Sequence, residues 1–364
     1  MQAIILNTNF EQVALIDVYE SFIWTDRYQE TGDFELYMPI ELAPIEHLQK
    51  DYYLWIATSD HAMIIESIAI ESDVEDGSKV VVKGHSLESL LQRRVVWNRT
   101  VIADGEKLQN GIKTLITENI ITPADTTRTI SNFIFEESDD EAITSIVIDE
   151  ELEYFGEDLY TVIRSHCVEH EIGFKISLNL QNQFVFKLYA GVDRTYEQEV
   201  NPYVVFSPKY GNLLNSNYIE SVESWKNVAI VAGDEEGSGD NKTRANRVVM
   251  LNKGSVIGIT RREIYINVSG IKKDSENCMA HLKQKGIDAL MENCRISAFE
   301  GEQDLTNRMY MYGEDYFMGD IVQVENEFGQ EGRAYVSEFI ISCDESGTTM
   351  YPTFKSILKG EYEA

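Results

Sequence analysis

The chain has few cysteines, and their spacing fits neither a disulfide framework nor a zinc motif. Four occur, at positions 167, 278, 294 and 343, and no two of them form a CxxC pair. Cys278 and Cys294 bracket a predicted helix that is roughly 24 Å long at 1.5 Å per residue, too far apart to bridge within that helix. We therefore expect reduced thiols and synthesis in a cytoplasm.

Basic residues are scarce relative to acidic ones. The sequence has 31 Lys and Arg against 62 Asp and Glu, which gives a formal net charge of −31. Such a surface repels nucleic-acid phosphate and anionic lipid, which argues against tight binding of either. High solubility accounts for this charge. A passage through which a polyanion moves without sticking is the more specific alternative.

Long apolar runs are also missing. No run approaches the ~18 residues of a membrane-spanning helix. The first seven residues lack a basic region before their short apolar run. We therefore expect neither a membrane span nor a secretory signal peptide.

Motifs of common enzyme and phosphate sites are absent. The sequence contains no Gly-x-Ser-x-Gly elbow and no His-Glu-x-x-His zinc motif. Its carboxylates are too numerous to single out one catalytic pair. The acidic, glycine-rich segment 233–244 lacks the Gly-Lys-Ser/Thr ending of a P-loop and the closing Glu of an EF-hand, so we predict a solvated hairpin loop there.

The six histidines offer one weak candidate for a metal site. His166 and His170 are four residues apart on a predicted helix, a spacing that lets two imidazoles meet one ion, and Cys167 lies beside them. Cys167 falls on the apolar face, however, and no third ligand is evident nearby. A solvated helix edge is the simpler interpretation. We expect no catalytic, cofactor-binding or metal-binding residue and no cofactor.

The most informative segment present is a predicted β-hairpin, residues 19–39. Its turn contains Gly32, which can take the positive φ of a tight connection. Large aromatic side chains alternate along the first strand and share one face: Phe22, Trp24 and Tyr28. Arg27 and Asp33 flank the turn, and we predict a structural ion pair worth about 0–1 kcal/mol if exposed.

With 364 residues the chain is too long for one core. The patterns predict a mixed α+β fold that is mostly β. Two barrel-like β domains, residues 1–103 and 216–364, flank an α+β middle domain, residues 104–215. The other expected features are helices at 104–119, 156–170 and 275–293, and Ser86 as the N-cap of a further helix.

One supersecondary unit occurs twice. Residues 53–91 and 319–358 each read as a strand, a long strand ending in Asp, a glycine turn and a returning strand. Chance similarity of two hairpins is the alternative. If the repeat is real, the first and last domains are two copies of one small barrel, and the middle domain is an insertion between them.

Four stretches, in this order along the chain, resemble the siphophage tail-hub (tail-associated) protein family, which is similar to the baseplate hub proteins of contractile phages. They are Trp24-Thr-Asp-Arg-Tyr-Gln-Glu-Thr-Gly-Asp-Phe-Glu-Leu-Tyr-Met-Pro39, Gly191-Val-Asp-Arg-Thr195, Val228-Ala-Ile-Val-Ala-Gly-Asp-Glu-Glu-Gly237 with Arg244, and Tyr316-Phe-Met-Gly-Asp-Ile-Val-Gln-Val-Glu-Asn-Glu-Phe-Gly329. The likeness spans most of the chain.

The resemblance implies a structural, non-enzymatic protein of the virion at the tip of a phage tail. Three chains with two barrels each would form a pseudo-sixfold ring that joins the sixfold tail to threefold distal parts. The implied partners are further copies of the chain, a distal tail protein, a tape measure protein and spike or fibre proteins. DNA would pass along the axis without tight binding, and no stable membrane insertion is implied.

A second hypothesis keeps the tail tip but changes the role. A carbohydrate-binding or glycan-hydrolysing protein would use the aromatic and acidic residues on a cell-surface glycan. It predicts an exposed groove with Trp or Tyr beside two carboxylates ~5–10 Å apart.

Overall fold

The computed structural model describes residues 1–73, 77–213, 215–237, 242–252, 256–273, 277–302, 309–328, 331–356 and 362–363. The strands in these ranges are β1 (Ala3–Leu6), β2 (Gln12–Ile16), β3 (Ser21–Arg27), β4 (Asp33–Pro39), β5 (Tyr53–Ile56), β6 (Ala62–Asp73), β7 (Gly77–Ser86), β8 (Thr100–Ile102), β9 (Phe133–Glu136), β10 (Leu152–Tyr154), β11 (Gly173–Leu178), β12 (Phe184–Tyr189), β13 (Val205–Phe206), β14 (Asn215–Ser221), β15 (Val228–Ala232), β16 (Asn246–Leu251), β17 (Glu263–Asn267), β18 (Ile296–Glu302), β19 (Ile321–Glu325), β20 (Glu331–Asp344), β21 (Gly347–Ser356) and β22 (Tyr362–Glu363). The α-helices are α1 (Ser89–Gln92), α2 (Leu108–Ile116), α3 (Glu141–Thr144), α4 (Leu159–Glu169) and α5 (Cys278–Glu292). Among the described residues, none of the helices combines the length and the apolar character needed to span a membrane.

One large, mainly antiparallel sheet joins the two ends of the chain. Its strand order is β14-β18-β21-β20-β3-β4-β7-β6-β5-β1-β2, and β19 and β13 extend it beside β20. The two ends meet where β3 pairs with β20, with Trp24 opposite Ile341. Within the described ranges this sheet runs from β14 to β2 without closing.

The predicted hairpin of residues 19–39 is confirmed as β3 and β4. Alternate side chains along both strands are buried, and Trp24 is fully buried against Phe34. Gly32 does not have a positive φ, so that expectation was wrong. Glycine fits there because a Cβ would lie 2.3 Å from the carbonyl oxygen of Thr25, closer than any real contact.

The strand pairing shows the same arrangement in both predicted units. Strands β5, β6 and β7 form an antiparallel unit, and β19, β20 and β21 form another. Each unit has one register shift, between Ile65 and Ser67 in the first and between Val336 and Glu338 in the second. These are corresponding positions in the two sequences. The barrel-like form of the flanking domains stays a prediction.

The middle of the chain forms the small sheet β11-β12-β9, with α2 and α4 contributing to its core. Helix α4 begins after Asp158, whose Oδ1 accepts a hydrogen bond from the backbone N of Thr161 at 2.8 Å. The prediction that Ser86 is the N-cap of a helix was wrong. Ser86 ends β7, and its Oγ accepts a hydrogen bond from the backbone N of Gly32 at 2.8 Å.

The α-helices are shorter than the ranges predicted from the apolar periodicity. Helix α2 starts at Leu108 rather than at residue 104 and continues into a π-helical turn, Thr117–Ile121. Helix α5 lies within the predicted range 275–293, of which residues 275 and 276 are outside the described residues. It packs on β15 and β16.

The described residues form three apolar cores. The first combines residues from both ends of the chain around the large sheet, the second fills the middle region, and the third lies between α5 and the sheet β17-β15-β16-β22. The expected fold class, mixed α+β and mostly β, is confirmed. The domain boundaries at residues 103 and 215 stay predictions.

Candidate functional site

Three of the four motif stretches meet around one buried tyrosine. We call this cluster the motif junction: Tyr28, Gly191, Arg194, Gly319 and Asp320. Tyr28 is 2% exposed, and its hydroxyl accepts a hydrogen bond from the backbone N of Gly191 at 3.3 Å. A Cβ on Gly319, which has a φ of +86°, would lie 2.3 Å from the Tyr28 ring. The hairpin stretch therefore contacts the stretches 191–195 and 316–329.

Gly191 lets two backbone segments touch. A Cβ at this position would lie 1.8 Å from the carbonyl oxygen and 2.0 Å from the carbonyl carbon of Gly319. Two hydrogen bonds continue the contact: the N of Ile321 donates to Val192 at 3.0 Å, and the N of Arg194 donates to Ile321 at 2.8 Å. Only glycine fits such an approach.

Asp320 balances the charge of Arg194 and fixes the backbone around it. It is 2% exposed, and its carboxylate accepts hydrogen bonds from the backbone N of Val192 at 2.7 Å and of Phe317 at 3.1 Å. The Nε of Arg194 donates to it at 2.5 Å. Removing one partner of a buried ion pair typically costs about 3–5 kcal/mol, so this pair holds the two stretches in one arrangement.

The remaining motif stretch, residues 228–237 with Arg244, lies elsewhere. It forms β15 in the sheet β17-β15-β16-β22, and Arg244 donates a hydrogen bond to the hydroxyl of Tyr265 at 2.7 Å. In the predicted loop at 233–244, residues 238–241 are outside the described residues, and Glu236 and Thr243 form an antiparallel bridge beside them. The described ends thus have the form of a hairpin.

The predicted ion pair between Arg27 and Asp33 is present. Arg27 also pairs through its Nε with Glu338 at 2.6 Å, a residue 311 positions later in the chain. Its Nη1 donates to the carbonyl oxygen of Thr31 at 2.8 Å. The guanidinium therefore links the hairpin turn to β20, a role that sequence proximity alone did not reveal.

A buried charge cluster, Asp26, His61 and Glu88, lies between the hairpin and the middle region. The carboxylate of Asp26 accepts hydrogen bonds from Trp24 Nε1 at 2.9 Å and from Ser59 Oγ at 2.8 Å. The Nδ1 of His61 lies 3.5 Å from Glu88 Oε1. Because Ser59 donates to Asp26 and not to His61, this arrangement does not activate a nucleophile.

Charge pairing decides the protonation of this cluster. Burial opposes charge on His61, but Asp26 and Glu88 outweigh it and raise the pKa of His61 to about 9. Burial likewise opposes charge on Glu88, but His61 outweighs it and lowers the pKa of Glu88. Burial raises the pKa of Asp26. A charged His61 beside Glu88 therefore stabilises the fold at neutral pH.

A shallow cleft beside the junction can be compared with the groove that the glycan hypothesis predicts. Its lining includes Tyr335, Glu30 and Glu338, and its volume is about 180 Å³, below the ~300–1,000 Å³ of typical small-molecule sites. Both carboxylates are engaged, Glu30 with Arg164 at 2.5 Å and Glu338 with Arg27 at 2.6 Å. The cleft thus offers no uncommitted carboxylate pair.

The expectation of a solvated helix edge was wrong for His166, whose side chain is buried, whereas His170 is half-buried. His166 is 1% exposed and Cys167 is fully buried. Burial raises the pKa of the Cys167 thiol far above its usual range, which makes it a core residue. A further acidic side chain, Glu169, lies next to His166 and His170. Sequence reasoning missed it, although its i+3 position relative to His166 was the available signal.

Comparisons with known proteins identify the family. The family model of the Siphovirus ReqiPepy6 Gp37-like proteins matches residues 3–354. The chain belongs to this family. The resemblance to a siphophage tail protein family that the sequence suggested is thereby confirmed. A search of curated proteins found no significant match.

Three solved tail proteins share the fold along almost the whole chain. The prophage MuSo2 43 kDa tail protein from Shewanella oneidensis is 10% identical, covers 98% of each chain and has a TM-score of 0.57. The tail protein from Neisseria meningitidis MC58 is 10% identical over 97% of this chain and 96% of that one, with a TM-score of 0.55. The prophage tail protein gp18 from Listeria monocytogenes EGD-e is 13% identical over 99% and 95%, with a TM-score of 0.52. At these identities the likeness establishes the fold.

Proposed function

We propose that this chain is a structural tail-hub protein at the tip of a phage tail, where three copies form a ring. Membership of a siphovirus family and a fold shared with phage tail proteins support a role in the tail. The main support for a ring comes from the strand unit that occurs twice in the chain. In one copy the long strand has a neighbouring strand on both edges, whereas in the other copy no described strand pairs with the second edge of the corresponding part.

The occupied edge belongs to β20. Its residues from Glu338 to Asp344 pair with β3, and Ile341, opposite Trp24, is 1% exposed. The corresponding part of β6 is Ser67 to Asp73. Within the described residues this part pairs only with β7. Ile70, the counterpart of Ile341, is 55% exposed.

The strand that fits the open edge is β14. It pairs with β18, as β3 pairs with β4, and among the described strands it lies at one end of the large sheet. Tyr218 lies opposite Phe299 as Trp24 lies opposite Phe34. The counterpart of the contact between β3 and β20 is therefore a contact between β14 of one chain and β6 of the next.

The repeat also sets the register of this contact. Transferring the pairing of β3 with β20 places Tyr218 opposite Ile70 and Ile219 opposite Ala69 of the neighbouring chain. Pairing would cover the exposed Ile70 side chain, and full burial of one Ile is worth about 1.5–3 kcal/mol. A head-to-tail contact of this kind closes into a ring when its rotation is a simple fraction of a turn. Three chains would give six repeated units.

The ring accounts for the remaining features of the proposal. A ring with sixfold pseudosymmetry and threefold true symmetry joins a hexameric tail to a trimeric spike or fibre, with the distal tail protein and tape measure protein as neighbours. An axial opening would let DNA pass, and a net charge of −31 would keep it from adhering. The proposal involves no catalysis.

Ile70→Lys tests the ring directly. A charged side chain at the centre of the contact should reduce the wild-type trimer to a monomer in light scattering after size exclusion. Leu180→Lys is the control, because Leu180 is 98% exposed in a turn of the middle region and lies outside the contact. The proposal fails if Ile70→Lys remains trimeric. It also fails if the wild type stays monomeric at high concentration and forms no ring with its tail partners in negative-stain micrographs.

Cysteine cross-linking tests the register. The double variant Ala69→Cys and Ile219→Cys should form disulfides between chains under mild oxidation, giving dimers and trimers on a non-reducing gel. Ala69→Cys with Val222→Cys is the control, since that pair is three positions out of register. Equal cross-linking of both variants would refute the register.

A further inference from the structure

The last turn of α4 brings three possible metal ligands together. His166 and Glu169 of α4 and His170, the residue that caps its C-terminus, stand at i, i+3 and i+4; we call them the helix-end cluster. One ligand atom from each lies within 4.8 Å of the other two. Two imidazole nitrogens and one carboxylate oxygen are a donor set that suits zinc.

His166 has an unexplained buried nitrogen. Its Nε2 is hydrogen-bonded to the hydroxyl of Tyr154 at 2.7 Å. Its Nδ1 has no hydrogen-bond partner, although the residue is 1% exposed. That Nδ1 lies 3.8 Å from Oε2 of Glu169, too far for a hydrogen bond and close enough for both atoms to face one ion. Buried polar atoms normally have a partner, so the Nδ1 requires an explanation.

The surroundings favour a cation. The carboxylates of Asp288 and Asp149 lie close enough to act on Glu169, so the cluster is surrounded by further negative charge. The nearby cation Lys283 is itself engaged by Asp149 at 2.8 Å. Metals bind imidazole in its neutral form, and His166 is buried away from solvent.

We propose that the helix-end cluster binds one divalent transition-metal ion, zinc, through Nδ1 of His166, a ring nitrogen of His170 and the carboxylate of Glu169. Tyr154 would hold the other ring nitrogen of His166, as outer partners of zinc-bound histidines usually do. Ligand atoms around tetrahedral zinc lie ~3.3 Å apart at metal–ligand distances near 2.0 Å. Rotation of the half-buried Glu169 and His170 side chains would close the site, and water would take the fourth position.

Zinc titration of the full chain, stripped of metal with a chelator, tests this proposal. Calorimetry should show one ion per chain, and cobalt in place of zinc should give visible d–d absorption. Glu169→Gln and His170→Ala should each weaken zinc affinity at least tenfold. His85→Ala is the matched control and should leave it unchanged, because His85 Nδ1 also lies beside a carboxylate, 2.6 Å from Glu66, but on an exposed strand.

Circular dichroism would verify that each variant is folded. The proposal is overturned if zinc does not saturate near one ion per chain. It is also overturned if many weakly held ions are displaced by salt, or if the two ligand variants bind zinc as the wild type does. Because ring assembly is not part of this argument, the monomeric Ile70→Lys variant should still bind one zinc ion.

Discussion

Replacing Gly191 with alanine adds one methyl group at the place where two backbones of the motif junction touch. The new Cβ would lie 1.8 Å from the carbonyl oxygen of Gly319, roughly 1.5 Å closer than an ordinary van der Waals contact. Backbone atoms cannot rotate away as a flexible side chain can. The two segments must therefore separate.

The cost can be worked out from the contacts that separation affects. Overpacking a tight site costs about 1–3 kcal/mol. The hydrogen bonds from Ile321 to Val192 and from Arg194 to Ile321, at 3.0 and 2.8 Å, would lengthen past their useful range, at about 1 kcal/mol each. We expect Gly191→Ala to lower the free energy of unfolding by about 3–5 kcal/mol, a large share of a typical 5–15 kcal/mol.

Urea denaturation followed by tryptophan fluorescence measures this change, since Trp24 is fully buried in the same core as Tyr28. Gly332→Ala is the matched control. That glycine lies in β20, in the repeat unit that Gly191 contacts through Gly319; it has no positive φ, and a Cβ there meets nothing within 4 Å. The control should be neutral or slightly stabilising. If both variants unfold at the wild-type urea concentration, the close approach at Gly191 does not hold the junction together.

Two further substitutions test the buried charges. Asp320→Asn leaves the Arg194 guanidinium without its counter-charge, and urea denaturation should show a loss of about 3 kcal/mol; a loss below 1 kcal/mol would contradict the role of this pair. Charged His61 beside Asp26 and Glu88 stabilises the fold fully below its ordinary pKa of 6.5, and this stabilisation is lost as pH rises through about 9. The melting temperature should therefore fall over that range, and His61→Gln should flatten the fall. An unchanged slope in His61→Gln would assign the pH dependence to other groups.

Local patterns were sufficient for the elements whose signal is short-range. Alternation along residues 19–39 predicted β3 and β4, and the apolar periodicity of residues 156–170 and 275–293 predicted α4 and α5. Helix starts were less well predicted, because an apolar stripe does not reveal which residue supplies the cap. Ser86 has the chemistry of an N-cap, but its hydroxyl is used by the backbone of Gly32.

The candidate sites were less accessible, since their members are far apart in sequence. Arg27 was matched with its neighbour Asp33, but Glu338 could be found only after β3 and β20 were seen to pair. Glu169 was overlooked beside His166 because an acidic residue among so many carries little information by itself. What distinguishes it is the buried, unpartnered Nδ1 that it faces.

The sequence by itself determined the strand content, the family and the repeat of one unit near both ends of the chain. Each of these depends on residue type and spacing, which are local properties. Only the tertiary structure decided that the two units share one sheet, that three motif stretches converge on Tyr28, and which strand edges lie open. Those facts depend on pairing between strands some 300 residues apart, and backbone hydrogen bonds between strands are nearly independent of side-chain identity. A single sequence therefore carries little trace of them.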